Sequence, residues 1–96
     1  MKNQKKLRFY FMNGIDSWEW YTILDYYKNV SKKSINFLLL EMNDTKYTMI
    51  QLTDKLTKNQ ELFLIGLIMG YKGRAFDIEY VDFYGDKSSY WLEGNL

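Results

Sequence analysis

Two helix-start signals punctuate this chain and limit what it can fold into. Asp16 is followed three residues later by Glu19, and Thr57 three residues later by Gln60. In such a pair the first side chain accepts from a backbone N–H of the first turn while the second reaches back to the first residue's own N–H, so the spacing marks a helix beginning. Each signal lies between runs rich in aromatic and β-branched residues, which favour strands. The sequence therefore reads as strands interrupted twice by a helix, within 96 residues, a length that supports one core and one domain, 1–96.

The individual elements follow from local pattern. Residues 7–12 alternate Leu7, Phe9 and Phe11 against Arg8, Tyr10 and Met12, a first strand that Asn13-Gly14 ends. Helix one is expected over Ser17 to Val30, with Trp20, Ile23, Leu24 and Tyr27 as its buried stripe and Trp18, Tyr21 and Tyr26 outside it. After Ser31-Lys32-Lys33-Ser34, Ile35 to Met42 reads as a second strand, Asn43-Asp44 as a tight turn, and Lys46 to Leu52 as a third strand. The Thr57 signal opens the apolar run Leu62 to Met69, a short and well-buried helix that Gly70 would close; eight consecutive apolar residues also permit a strand. Ala75 to Tyr84 switches alternation midway, so a bulge is expected near Tyr80, with Gly85-Asp86 turning as a hairpin into a last strand, Ser88 to Leu92. The order β-α-β-β-α-β with an extra C-terminal strand predicts an α+β fold of the ferredoxin-like, split β-α-β kind: an antiparallel sheet, two helices on one face, the other face open.

Composition narrows the chemistry. There is no histidine and no cysteine, which excludes serine–histidine triads, cysteine nucleophiles, histidine acid–base catalysis, disulfides and ordinary zinc sites. Without cysteine the fold is independent of redox compartment, which is compatible with the cytoplasm. The basic start is followed by only Phe9 to Met12 as an apolar stretch, too short for a signal-peptide core, and the longest apolar run is eight residues, too short for a membrane span. Net charge is +1, yet residues 1–50 carry eight basic and five acidic side chains while residues 51–96 carry five and seven. Lys, Asn, Ile, Phe and Tyr, whose codons are A/T-rich, are abundant, Ala occurs once and Pro never. We read this as the usage of a low-GC bacterium, or of a phage or mobile element living in one.

Three constellations remain as candidate sites. Asp77 and Glu79, two apart on one strand face with Asp82 and Asp86 downstream, are the only carboxylate pair with Mg²⁺-ligand character for phosphotransfer, and the favoured reading of them is an ordinary solvated strand face. Gly66, Gly70 and Gly73 follow neither phosphate-loop spacing and read as cap and turn residues. No cofactor is implied.

On the sheet, Arg8, Tyr10 and Met12 of the first strand would face outward beside Tyr47, Met49 and Gln51 of the third. Phe9-Tyr10-Phe11-Met12-Asn13 resembles the first short motif of the RNA-recognition-motif family, with Tyr10 in the stacking position; Lys46 to Leu52, at the second motif, lacks the glycines and has Met49 where an aromatic is usual. What the resemblance implies is single-stranded nucleic acid stacked on Tyr10 and Tyr47, with Arg8 and Lys46, helped by Lys5 and Lys6, on phosphates.

The third constellation is a surplus of aromatics: Trp18, Tyr21 and Tyr26 on helix one and Tyr84, Tyr90 and Trp91 near the C-terminus exceed what one small core needs, and such residues concentrate at protein interfaces. The acidic C-terminal stretch of Asp77, Glu79, Asp82, Asp86 and Glu93 would complement a basic partner. The leading expectation is thus a small non-enzymatic protein binder, such as a phage or mobile-element inhibitor of a host defence nuclease complex of the anti-CRISPR kind. A nucleic-acid-binding sheet face comes second and a Mg²⁺-dependent phosphotransfer enzyme third. A homodimer is compatible with each.

Overall fold

A computed structural model describes residues 5–42, 47–81 and 92–95 of the chain. The elements run β1 (Lys6–Phe11), α1 (Ser17–Ser31), β2 (Asn36–Met42), β3 (Tyr47–Leu52), α2 (Lys58–Lys72), β4 (Phe76–Val81) and β5 (Leu92–Asn95). The fold is α+β, its sheet ordered β4-β1-β3-β2-β5 with every neighbouring pair antiparallel. It follows that β1 runs parallel to β2 with β3 between them, and β3 parallel to β4 with β1 between them.

Both helices start where the capping pairs place them. The Thr57 hydroxyl accepts from the Gln60 backbone N–H at 3.2 Å and the Gln60 side chain returns the bond to the Thr57 N–H at 2.9 Å. At α1 the Asp16 N–H donates to the Glu19 carboxylate at 3.1 Å. Gly14, at φ 75°, takes the left-handed conformation at the turn after β1 that a side chain resists.

One face of the sheet holds the core. Leu7, Phe9 and Phe11 of β1 and Ile50 and Leu52 of β3 meet Trp20, Ile23, Leu24 and Tyr27 of α1 and Leu64 and Ile68 of α2, all buried. Phe37 of β2 and Phe76 of β4 join them as alternate residues of their strands, so both helices lie on that face. Aromatic rings dominate it: Phe9 and Phe11 lie 6.3 and 6.5 Å from Trp20 and 6.3 and 5.8 Å from Phe76, while Tyr27 stacks on Phe63 at 5.8 Å. Such pairs add to what area burial alone gives.

Several expectations are corrected. The segment 62–69 is helical, but as the middle of the fifteen-residue α2, and Gly73 rather than Gly70 ends it, at φ 60°. Nor is it well buried: Leu64 and Ile68 face the sheet, whereas Leu62 and Met69 are exposed. A helix packed on one sheet buries one stripe, so eight apolar residues in a row must leave some in water. β4 pairs with β1 without interruption from Phe11↔Phe76 to Lys6↔Val81, so there is no bulge at Tyr80. The expected last strand, Ser88 to Leu92, lies outside the described residues except for Leu92, where β5 begins. β5 pairs with β2 at the opposite edge, Leu39↔Leu92 to Asn36↔Asn95, and the expected turns at Asn43-Asp44 and Gly85-Asp86 lie outside the described residues.

The helix-free face is not open either. Gln51 and Leu38, neighbours across β3 and β2, are fully buried there, and Arg8, Tyr10 and Met49 are half-buried. Gln51 is satisfied locally. Its amide donates to the Leu7 and Leu52 carbonyls at 3.3 and 2.9 Å and accepts from Arg8 Nε at 2.8 Å, which draws the guanidinium over it.

Candidate functional site

α1 is amphipathic in an unusual sense, because its outer side is also rich in large apolar groups. Its inner stripe is the expected Trp20, Ile23, Leu24 and Tyr27. Outside it, Trp18 is 62% exposed, Tyr21 42%, Tyr26 53% and Val30 66%. Steps of four carry Trp18 to Thr22, Tyr26 and Val30, a ridge that winds slowly round the helix. The Thr22 hydroxyl, donating to the Trp18 carbonyl at 2.6 Å, is tied back to the helix. Tyr21 is anchored at its base, its ring meeting Phe37 edge-on at 6.1 Å. The apolar exterior continues on α2, where Leu62, Met69 and Tyr71 are exposed and Gly66 and Gly70, also exposed, have open space around them.

The three aromatics expected on helix one, Trp18, Tyr21 and Tyr26, are thus all exposed on α1. Tyr84, Tyr90 and Trp91 lie outside the described residues, as do Asp82 and Asp86. Sequence reasoning missed Val30, which the four-residue step from Tyr26 would have found, and Leu62 and Met69, which a wheel drawn over the whole of α2 places opposite Leu64 and Ile68.

The sheet-face constellation is joined differently from expectation. Tyr10 does stand beside Arg8, whose Nη1 donates to the phenol at 3.4 Å, but the phenol itself donates to the Glu79 carboxylate on β4. A carboxylate at the tip of the stacking candidate repels phosphate. Gln51 is buried under Arg8 rather than presented, Lys46 lies outside the described residues, and Tyr47 is placed only as the first residue of β3.

Asp77 and Glu79 are both exposed on β4 and share a face. Among the described residues no third carboxylate joins them in a group able to hold a metal ion. Charges pointing from an edge strand also discourage pairing with other sheets. No described helix is long and apolar enough to cross a membrane.

Three phenols titrate above the ordinary tyrosine value. Burial leads for Tyr10, followed by its bond to Glu79; burial leads for Tyr27, whose hydroxyl has no hydrogen-bond partner among the described residues; the bond to Glu61, at 2.7 Å, leads for Tyr80. The folded chain holds these protons to higher pH than the unfolded chain, so the stability they contribute is present below pH about 10 and lost as pH rises through the folded values. Urea midpoints should therefore fall above pH about 10, and Y10F/Y80F should flatten that fall; an unchanged slope in the variant would place the alkaline sensitivity elsewhere.

No protein-family model, curated protein or solved structure matches the chain.

Proposed function

We propose that this chain is a non-enzymatic protein-binding domain that docks through the outer face of its helical layer, with α1 as the principal contact. The observation that carries the reading is the exposure of Trp18, Tyr21, Tyr26 and Val30 on one helix. A monomer has little reason to keep an indole and two phenols in water, whereas tryptophan and tyrosine at the centre of an interface supply most of its binding energy. Leu62 and Met69 extend the apolar character of that layer. The strand order β4-β1-β3-β2 supports a ferredoxin-like, split β-α-β arrangement with β5 added at the β2 edge. The abundance of residues with A/T-rich codons supports a low-GC bacterium as the setting, the absence of cysteine is compatible with its cytoplasm, and there the reading becomes a phage or mobile-element inhibitor of a defence nuclease complex, of the anti-CRISPR kind.

The test is a pull-down from a low-GC bacterial lysate treated with nuclease, followed by titration of the captured protein against W18A/Y26A. Loss of a buried aromatic anchor should weaken binding by about 2 kcal/mol or more, roughly thirtyfold. Both side chains are exposed, so the thermal melt should stay within about 0.5 kcal/mol of the parent. Full affinity in a folded double variant would refute the reading. Mass measured by light scattering across a dilution series separates a foreign partner from a second copy of the chain.

A further inference from the structure

The topology gathers lysines at one end of the molecule. β1 and β2 begin there, β3, β4 and α1 end there, and α2 starts there. Lys5 and Lys6 enter β1, Lys32 and Lys33 follow α1, Lys55 lies in the β3–α2 loop, and Lys58 opens α2. All but Lys6 are exposed.

The carboxylates nearby are already engaged. Asp54 accepts from the Asn36 backbone N–H at 2.9 Å and its side-chain amide at 3.4 Å. Glu61 accepts from the Tyr80 hydroxyl at 2.7 Å and lies 3.6 Å from Lys58. Among the described residues six lysines thus stand with two carboxylates at one pole of a chain whose whole net charge is +1.

Two grooves give this charge a shape. One, of about 360 Å³, is lined by Lys5, Lys6, Lys55, Leu56, Glu61 and Tyr80, among others. The second, of about 470 Å³, lies between Lys33, Ser34, Asn36 and Gln60. Asp54, Lys55 and Leu56 form the wall the two share. Lysines therefore stand along a continuous path rather than round a single pocket, outnumbering the Asp54 and Glu61 carboxylates beside them, and repeated positive charges fit a ligand whose charges repeat.

We propose that this lysine pole is a second binding surface, for the phosphate backbone of nucleic acid, distinct from the aromatic face of α1 and from the sheet face. It binds without reading base sequence, because lysine contacts phosphate as a point charge, and the planar amides of the second groove are engaged within the chain, Asn36 with Asp54 and Gln60 with the Thr57 N–H. Binding of this kind is driven by counterion release and weakens steeply with salt.

Fluorescence anisotropy of short labelled single-stranded and duplex DNA, titrated with the chain across a salt series, tests this. The logarithm of the binding constant should fall linearly with the logarithm of salt concentration. On duplex DNA the slope should be about −0.9 for each phosphate engaged. Lys55, at the shared wall, and Arg74, exposed at the opposite end between α2 and β4, allow the same charge reversal at the two poles. K55E should weaken binding by about tenfold and make the slope shallower by about one or more, while R74E changes affinity by less than about threefold. Far-UV circular dichroism establishes that both variants are folded. Absence of binding to either DNA at low salt, or equal losses in K55E and R74E, overturns the proposal. So does lysine-dependent binding to phosphatidylserine vesicles or polyglutamate with none to DNA. W18A/Y26A should bind DNA as the parent does, so failure of the α1 interface and failure of the lysine pole are separately visible.

Discussion

Replacing Phe9 by alanine should cost this domain about 3 to 5 kcal/mol, read as a fall in the urea midpoint at unchanged slope. Phe9 sits at the centre of β1, fully buried, with Phe11, Trp20 and Phe76 within 6.2 to 6.3 Å ring to ring. Removing it deletes a ring's worth of transfer free energy and leaves a cavity whose walls are themselves large and rigid, so collapse around it is limited. Domains of this size are stable by about 5 to 15 kcal/mol, so the variant should be near its unfolding threshold at room temperature. The control is its register partner on β4. Ile78 lies across from Phe9 but is 37% exposed on an edge strand, and I78A should cost about 1 kcal/mol. Equal costs at the two positions would mean that the core is not centred on β1.

Gln51→Leu should be the second most damaging of the changes considered, at about 2 to 4 kcal/mol, although it puts an apolar side chain of similar size at a fully buried site. Three polar groups lose their partner at once: the carbonyls of Leu7 and Leu52 and the Arg8 Nε–H. A buried group left unsatisfied costs about 1 to 3 kcal/mol, partly recovered here through leucine's hydrophobicity and the rotation of Arg8 toward water. Gln51→Met, which keeps length but not the amide, should be little better. A cost below about 1 kcal/mol in either variant would show the network to be dispensable.

What could be read from the sequence was what depends on near neighbours. The α1 stripe of Trp20, Ile23, Leu24 and Tyr27, the cap at Thr57 and the outward place of Trp18 each rest on spacings of three or four residues, and each is found in the structure. Gly70 misled because a glycine after an apolar run resembles a helix end. On the outer face of α2 it meets nothing and costs only helix propensity, so the helix continues to Gly73. β5 escapes local pattern because the hairpin rule looks to a strand's predecessor, whereas Leu92–Asn95 pairs with the distant edge of β2. Gln51 was counted as outward on parity, which is right, and as accessible, which is not. Its side chain bonds an arginine forty-three residues away in sequence, a neighbour that parity does not supply. The lysine pole is of the same kind: Lys5, Lys33 and Lys55 become neighbours only once the strands have chosen their order.

That strand order also sets a timetable for synthesis on the ribosome. β1, β2 and β3 can pair as soon as Leu52 has emerged, and α1 can already cover them, but the outer backbone edge of β2 must wait for Leu92 to reach Leu39. Throughout that interval a nascent chain carries a bare row of amides and carbonyls beside Phe37 and Leu38, a template on which a neighbouring polypeptide of the same polysome can add a strand. Leu92–Asn95, a strand of only four residues, is what closes that template once it has been made.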